Sequence, residues 1–393
     1  MAPWPARLLL LSITVETALQ WSSLGAAEAA RWPVSFALWS MCLLFVFRRP
    51  MVWAGLLRAP TVFLVAFGVW SLVASRWSPI QPSSFALGVG LLTVVLFGAA
   101  YVDRFGWQDF SAVVTIALAS FLALGWTYTV VSSDIDSTTD SSRLVGLSAN
   151  PTAMGLIAAL MALMSLSGLR GRPVAISGIV AFAGIVIFLA NARTASIALV
   201  LGLLLVVVGS TRGVVRTAAL GGMMIGAGAL LIVILAGDTV SPSLARSQSQ
   251  NELETLTGRT GLWDLADGWY AERPIAGHGL QGANELYAGA EERGELDWEA
   301  RDAHNTIIHT LLEVGLIGAL LLVTFTGTFL VAEYGLPDPR VSAPVLAILL
   351  VGITESLTHE ATLALLILAG AGAASVARRA KLIANTPVLA SVE

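Results

Sequence analysis

"RDAHNTIIHTLLEVGLIG", residues 301–318, changes character halfway. It opens on charged and polar residues, among them Asp302, His304 and Asn305, and then runs into an apolar stretch that continues past residue 330. About 17–25 apolar residues in a row mark a membrane-spanning helix. The stretch therefore reads as a water-facing loop diving into lipid, with His304 and Asn305 at the border.

The rest of the chain agrees. Of 393 residues 56% are hydrophobic and only 12% charged, with a mean hydropathy of +0.79. A soluble domain is about 25% charged, so this chain needs the bilayer as solvent. The single cysteine, Cys42, excludes an intrachain disulfide framework and a cysteine-based metal site.

Hydropathy predicts an all-α polytopic membrane protein with about twelve transmembrane helices and one long extracytoplasmic helical loop. The expected cores are 8–25, 33–47, 61–75, 84–102, 110–131, 151–169, 174–192, 194–210, 214–236, 305–332, 341–357 and 360–377. The first could instead be a cleaved signal segment, since Arg7 precedes a leucine run and "LGAAEAA" follows; Glu16 inside the apolar region argues against that. Three parts follow: a membrane bundle of nine helices over 1–236, an extracytoplasmic loop over 237–304, and a second membrane part with a cytoplasmic tail over 305–393.

Arginines set the orientation. One set of connections carries Arg48, Arg49, Arg58, Arg104, Arg170, Arg172, Arg212, Arg216 and Arg340, and the tail "ARRAKL" (377–382) falls on the same side. The other side has Arg31, Arg76, Arg143 and Arg193 in its short loops. The richer side is read as cytoplasmic, with both termini there. The segment 237–304 then lies outside, with thirteen acidic residues against five arginines. Within it "GLWDLADGWY" (261–270) has helical spacing.

The outward arginines run against the topological bias. Arg143 precedes "LVGLSANPTAMG", Arg193 sits in "NARTAS" between two apolar spans, and Arg259 sits in "TGRTGLW". Each taken alone reads as an interfacial anchor. Taken together they offer rigid guanidinium forks, which grip phosphate oxygens bidentately. A diphosphate at this face has one evident source, a polyprenyl-diphosphate carrier loaded with sugar. Histidine is the side chain whose neutral form is available near neutral pH; His304, at the same depth as the arginines, is placed to accept a proton from an attacking hydroxyl. Asn305 reads as a helix N-cap or as a residue orienting substrate.

Other polar groups read as structural. His309 and Glu313 share a helix face four residues apart. On a continuous helix Glu313 would lie roughly 13 Å along the axis from His304, too deep for a sugar site. The pair, and Glu16 and Glu355 in the same way, are read as contacts between helices or as supports for a neighbouring polar residue. "DID" (134–136) has the spacing of a metal-binding carboxylate pair, but its Ser/Thr-rich surroundings read as a turn. His278, flanked by glycines in "IAGHGLQG", reads as a turn too.

The stretches "GRTGLWDLADGWYAERPIAGHGLQG" (258–282) and "AHNTIIHTLLEVGLIG" (303–318) resemble the hallmark region of the O-antigen ligase and polymerase superfamily. In that family a Gly-Arg and a Trp precede a Pro-x-x-Gly-x-Gly turn, and a His-Asn opens the next helix before a Gly-Leu-x-Gly. "RLVGLSANPTAMG" (143–155) is similar to its Arg-x-x-Gly and Asn-Pro. "NARTAS" (191–196) is similar to its Ser-Arg-Thr element, with Ala192 for the usual serine. The resemblance covers about 140–320.

It implies an inverting, metal-independent glycosyltransferase that moves an oligosaccharide or polymer from undecaprenyl diphosphate to an acceptor on the outer side of a bacterial cytoplasmic membrane. By position, Arg193 and Arg259 match the family's diphosphate-binding arginines and His304 its catalytic base. Arg143, Asn150 and Asn305 match further positions, expected to bind substrate. Expected partners are the lipid-linked glycan donor, a glycan, lipid or protein acceptor, membrane lipid and envelope-assembly proteins; no cofactor, metal or nucleic acid is expected. A polymerase of lipid-linked repeat units is the alternative within the family. A transporter or flippase of lipid-linked sugars is the alternative outside it, against which stands the absence of a repeated half.

Overall fold

The computed structural model describes residues 2–19, 30–48, 56–132, 144, 146–148, 150–210, 259–296, 302–335, 337–356 and 362–385. The helices are α1 (Trp4–Ala18), α2 (Arg31–Phe47), α3 (Thr61–Ala74), α4 (Gln81–Phe105), α5 (Trp107–Ser132), α6 (Pro151–Gly168), α7 (Pro173–Leu189), α8 (Arg193–Ser210), α9 (Arg259–Glu272), α10 (Gly282–Glu292), α11 (Thr306–Gly335), α12 (Pro339–Gly352) and α13 (Thr362–Asn385). No strand occurs among the described residues. Every expected apolar segment carries a helix except 214–236, which lies outside the described residues. By length and composition α4, α5, α6, α8, α11 and α13 can each cross a membrane, and α2, α3, α7 and α12 are shorter apolar helices.

Two helices form the centre of the bundle. α4 packs against α2, α3 and α13, and α6 against α5, α7, α8 and α12. In lipid there is little hydrophobic drive between helices, so close approach by small residues matters. The contacts have that form. A Cβ on Gly168 would strike the backbone of Ala112, and one on Gly155 would strike the Ala192 methyl. Helix starts are written in the sequence: Asn150 caps α6 by accepting from the Thr152 N–H at 2.8 Å, and Asp338 caps α12 through the Arg340 N–H at 3.1 Å. In both, proline holds the first helical position, where its missing N–H costs nothing.

α9 and α10 form a smaller, peripheral layer with its own buried cluster of Leu262, Ala266, Trp269, Ala283, Tyr287 and Ala290. Leu312 and Ile308 of α11 belong to this cluster as well. The first third of α11 therefore packs in the peripheral layer. The expectation of an uninterrupted span over 305–332 is corrected here: α11 is broken at Gly315, whose φ of 66° and ψ of −169° are non-helical. Apart from glycine, residues almost never adopt that conformation. A Cβ there would also run into the Ile275 carbonyl.

A broken helix leaves carbonyls before the break and N–H groups after it without intrahelical partners. The loop 274–279 supplies them. The His278 N–H donates to Leu312 O at 2.7 Å and that of Gly279 to Glu313 O at 2.8 Å. After the break, the N–H of Leu316 donates to Pro274 O at 2.9 Å and that of Ile317 to Ile275 O at 3.3 Å. The Trp70 indole N–H of α3 donates to Val314 O at 2.7 Å. The loop itself rests on the first turn of α4, where the Ser84 hydroxyl donates to Leu280 O at 2.8 Å. His278 takes part in this turn, as the sequence suggested, with Nε2 2.7 Å from Trp269 O.

Gly315→Ala is expected to lower stability in detergent micelles by about 1–3 kcal/mol from backbone strain alone, with a clash added. Gly327, which has open space around it, is the control: Gly327→Ala should be neutral or stabilising by up to about 1 kcal/mol. Thermal unfolding of both variants checks this. Equal melting of the two would contradict the role given to the break.

Candidate functional site

One end of the bundle gathers the starts of α6, α8 and α11 with the end of α12. The last of these is followed by a turn, residues 353–356, that is stitched to the loop 302–306. The Asn305 amide donates through Nδ2 to Ile353 O at 3.0 Å, and its backbone N–H donates to the Ser356 hydroxyl at 3.3 Å. The Thr306 hydroxyl donates to Glu355 O at 2.7 Å. The Ser356 hydroxyl donates to Asp302 Oδ1 at 3.0 Å. Asn305 Oδ1 meanwhile caps α11, accepting from the N–H groups of Ile307 and Ile308 at 3.0 and 3.1 Å. The cap reading of Asn305 holds. Both ends of its amide are used by the fold, so it positions the loop.

His304 sits at the centre of this stitching. Its φ of 46° is in the left-handed region, uncommon for a residue with a side chain. An Asx turn holds it there, with its N–H donating to Asp302 Oδ1 at 2.5 Å. Its Nδ1 lies 3.3 Å from Glu355 Oε2 and 3.4 Å from Asp302 Oδ1. The ring thus has one nitrogen turned to two carboxylates and remains partly exposed. Of the two readings of Glu355, a contact between helices or a support for a neighbouring polar residue, the second fits: its side chain faces His304.

The same turn reaches α8. Thr354 Oγ1 lies 3.1 Å from Thr194 Oγ1, the residue next to half-buried Arg193. Arg193 opens α8 directly after the tight turn 190–192, in which Asn191 has φ 48°. Gly155 of α6 packs against Ala192 in that turn, so the start of α6, capped by Asn150, lies at the same end. Arg143 lies outside the described residues; the N–H of nearby Leu144 donates to Leu189 O at 3.0 Å, which ties its segment to the end of α7.

Arg259 opens α9, and the structure describes its backbone. One helical turn on, the Trp263 indole N–H donates to Ala303 O at 2.9 Å. The start of α9 is thereby fixed beside the residue that precedes His304. Tyr287 supports α9 from behind, donating its hydroxyl to Leu262 O at 3.3 Å and meeting Trp269 edge-on at 5.0 Å. Burial, and then the Asp302 carboxylate, push the Tyr287 phenol up, so it stays a neutral donor.

His309 and Glu313 are fully buried in the peripheral layer, Nε2 to Oε1 3.3 Å apart. They lie before the point where α11 turns into the bundle, while their structural role stands. Among the described residues no cluster of His, Cys, Asp or Glu is arranged to hold a metal; Asp134 and Asp136 lie outside them.

Asn305→Ala is expected to cost about 1–2 kcal/mol, the usual worth of an N-cap, with the Ile353 tie lost as well. Asn305→Asp, which keeps the cap and loses the donor, should fall between. Thermal unfolding in detergent measures both; Asn305→Ala melting like wild type would contradict the stitching described.

No curated protein matches the chain. Residues 178–323 match the family model described as O-antigen ligase. The match runs from within α7 to within the broken α11 and takes in Arg193, Arg259, His304 and Asn305. This segment, just over a third of the chain, is thus similar to the O-antigen ligase family, in the region where the sequence motifs resemble it.

Proposed function

We propose that this protein transfers an oligosaccharide or polysaccharide from undecaprenyl diphosphate to an acceptor hydroxyl or amide, on the extracytoplasmic side of the cytoplasmic membrane. The observation that carries the reading is the convergence on one bundle end of the starts of α8 and α9, which bear Arg193 and Arg259, with the His304–Glu355 pair. The opposite end holds Arg7, Arg48, Arg104, Arg170, Arg172 and Arg340. The positive-inside bias makes that end cytoplasmic, with both termini, and the His304 end external.

The chemistry follows from the groups. Breaking the bond between sugar and diphosphate builds negative charge on the leaving oxygen. Two guanidinium forks set beside it stabilise that charge without reorganising, which is usually the largest catalytic contribution. Glu355, with Asp302 beside it, faces Nδ1 of His304 and favours the tautomer that carries its proton there. The acceptor hydroxyl then meets Nε2, which takes its proton as the oxygen attacks the anomeric carbon. Attack opposite the diphosphate inverts that carbon. Arg143 and Asn150 would border the sugar end of the donor, from the segment that leads into α6. No nucleotide or metal has a step here, since the activated bond arrives with the donor. A polymerase would use the same steps with another lipid-linked repeat as acceptor.

Purified protein given a lipid-linked donor and its acceptor should release undecaprenyl diphosphate. Arg259→Lys or Arg193→Lys should lower turnover by about 10²-fold or more, because lysine keeps the charge and loses the fork. His304→Ala should cost about 10²–10⁴-fold, and Glu355→Gln on the order of 10-fold or more. Wild-type rates in both His304→Ala and Arg259→Lys would end the proposal. Donor supplied to the external face alone separates transfer from flipping: a flippase would release no diphosphate there.

A further inference from the structure

At the bundle end opposite His304, a groove of about 580 Å³ opens between α1, α5 and the α6–α7 turn. The bond-breaking chemistry makes no use of it. Its walls combine two characters. Trp4, Leu8 and Ile116 are exposed, at 68%, 44% and 52%, and form an apolar flank of the kind that faces acyl chains. Beside them stand Arg7, Arg170 and Arg172.

The charges are arranged unevenly. Asp109 is the one acidic residue lining the groove, and it is taken by Arg7: Arg7 Nε donates to Oδ2 at 3.3 Å, and its second nitrogen bonds Oδ1. Tyr101 donates its hydroxyl to Asp109 Oδ2 at 2.8 Å and completes that pair. Arg170 and Arg172 are both exposed, and their guanidinium groups meet no carboxylate in the described residues. They lie on a fixed turn. Leu169 N–H closes α6 on Ser165 O at 2.9 Å, and the Arg172 N–H donates to Leu169 O at 2.9 Å. Gly168 holds the turn directly against the α5 backbone at Ala112. Among the described residues the groove thus presents two cations without a carboxylate partner, on a fixed turn, beside an apolar flank that carries a tryptophan, a residue enriched at membrane boundaries.

We propose that this groove binds an anionic phospholipid of the inner leaflet. The phosphate sits between Arg170 and Arg172, and the acyl chains run along Leu8 and Ile116. Arginine forks grip phosphate oxygens, and basic pockets between helices on the cytoplasmic side suit anionic headgroups. The site is independent of the transfer chemistry, so its test uses binding alone.

Detergent-solubilised protein is loaded with phosphatidylglycerol or with zwitterionic phosphatidylethanolamine, and bound lipid is counted by native mass spectrometry. Phosphatidylglycerol should be retained preferentially. The double variant R170Q/R172Q should weaken it roughly thirtyfold, about fivefold per arginine. R48Q/R340Q, which removes the same charge from the same end outside the groove, should leave it unchanged, and both variants should melt like wild type. Inorganic phosphate at about 10 mM should fail to displace the lipid. Equal retention of the two lipids, equal weakening by both double variants, or displacement by free phosphate would each overturn the proposal.

Discussion

The backbone hydrogen bonds between the loop 274–279 and the broken turn of α11 are what the remainder of the structure depends on. A helix interrupted next to lipid is tolerated only if its freed carbonyls and N–H groups find partners. Here the partners come from a segment about 40 residues upstream, which a separate bond from the Ser84 hydroxyl to Leu280 O ties to the start of α4. One exchange of donors and acceptors therefore breaks a helix, anchors the peripheral layer to the bundle, and fixes how the first turns of α11 lie. His304 and Asn305 inherit their placement from it.

Family resemblance and physical role divide the motifs differently. The glycines of "PIAGHG" (274–279) and "VGLIG" (314–318) lie in the region that resembles the superfamily, yet Gly277, Gly279 and Gly315 face backbone and Gly318 faces the Val314 side chain. Gly277 faces the Glu313 carbonyl and Gly315 faces Ile275. Their work is to let two chain segments approach. The residues suited to chemistry stand apart from them: Arg193 and Arg259 open helices and His304 directly precedes one, where chain ends converge.

Much of the fold was legible because hydrocarbon leaves helices as the one open solution for long apolar runs, and each such run among the described residues is helical. The break at Gly315 was not legible. "LLEVGLIG" is continuous in hydropathy, and a lone glycine in such a run does not by itself stop a helix; what stops it is a hydrogen-bonding partner distant in sequence. In the candidate site, the placement of His304 and Arg193 at one bundle end was readable from their position at the ends of apolar runs and against the charge bias. Glu355 was missed because its connection to His304 spans 51 residues and depends on how α12 ends. Asp302 carried a local signal that was available: an aspartate two residues before a histidine in a turn has the spacing of an Asx turn.

Arg193, Arg259 and His304 are proposed to act on one headgroup. This is tested most directly by an experimental structure of the protein in a lipid nanodisc, bound to a non-hydrolysable phosphonate analogue of a glycosyl polyprenyl diphosphate. Density for both phosphorus atoms is expected between the guanidinium groups of Arg193 and Arg259, with His304 Nε2 facing the side of the anomeric carbon opposite the phosphonate. Density for the headgroup elsewhere, or contact with only one of the three residues, would contradict it.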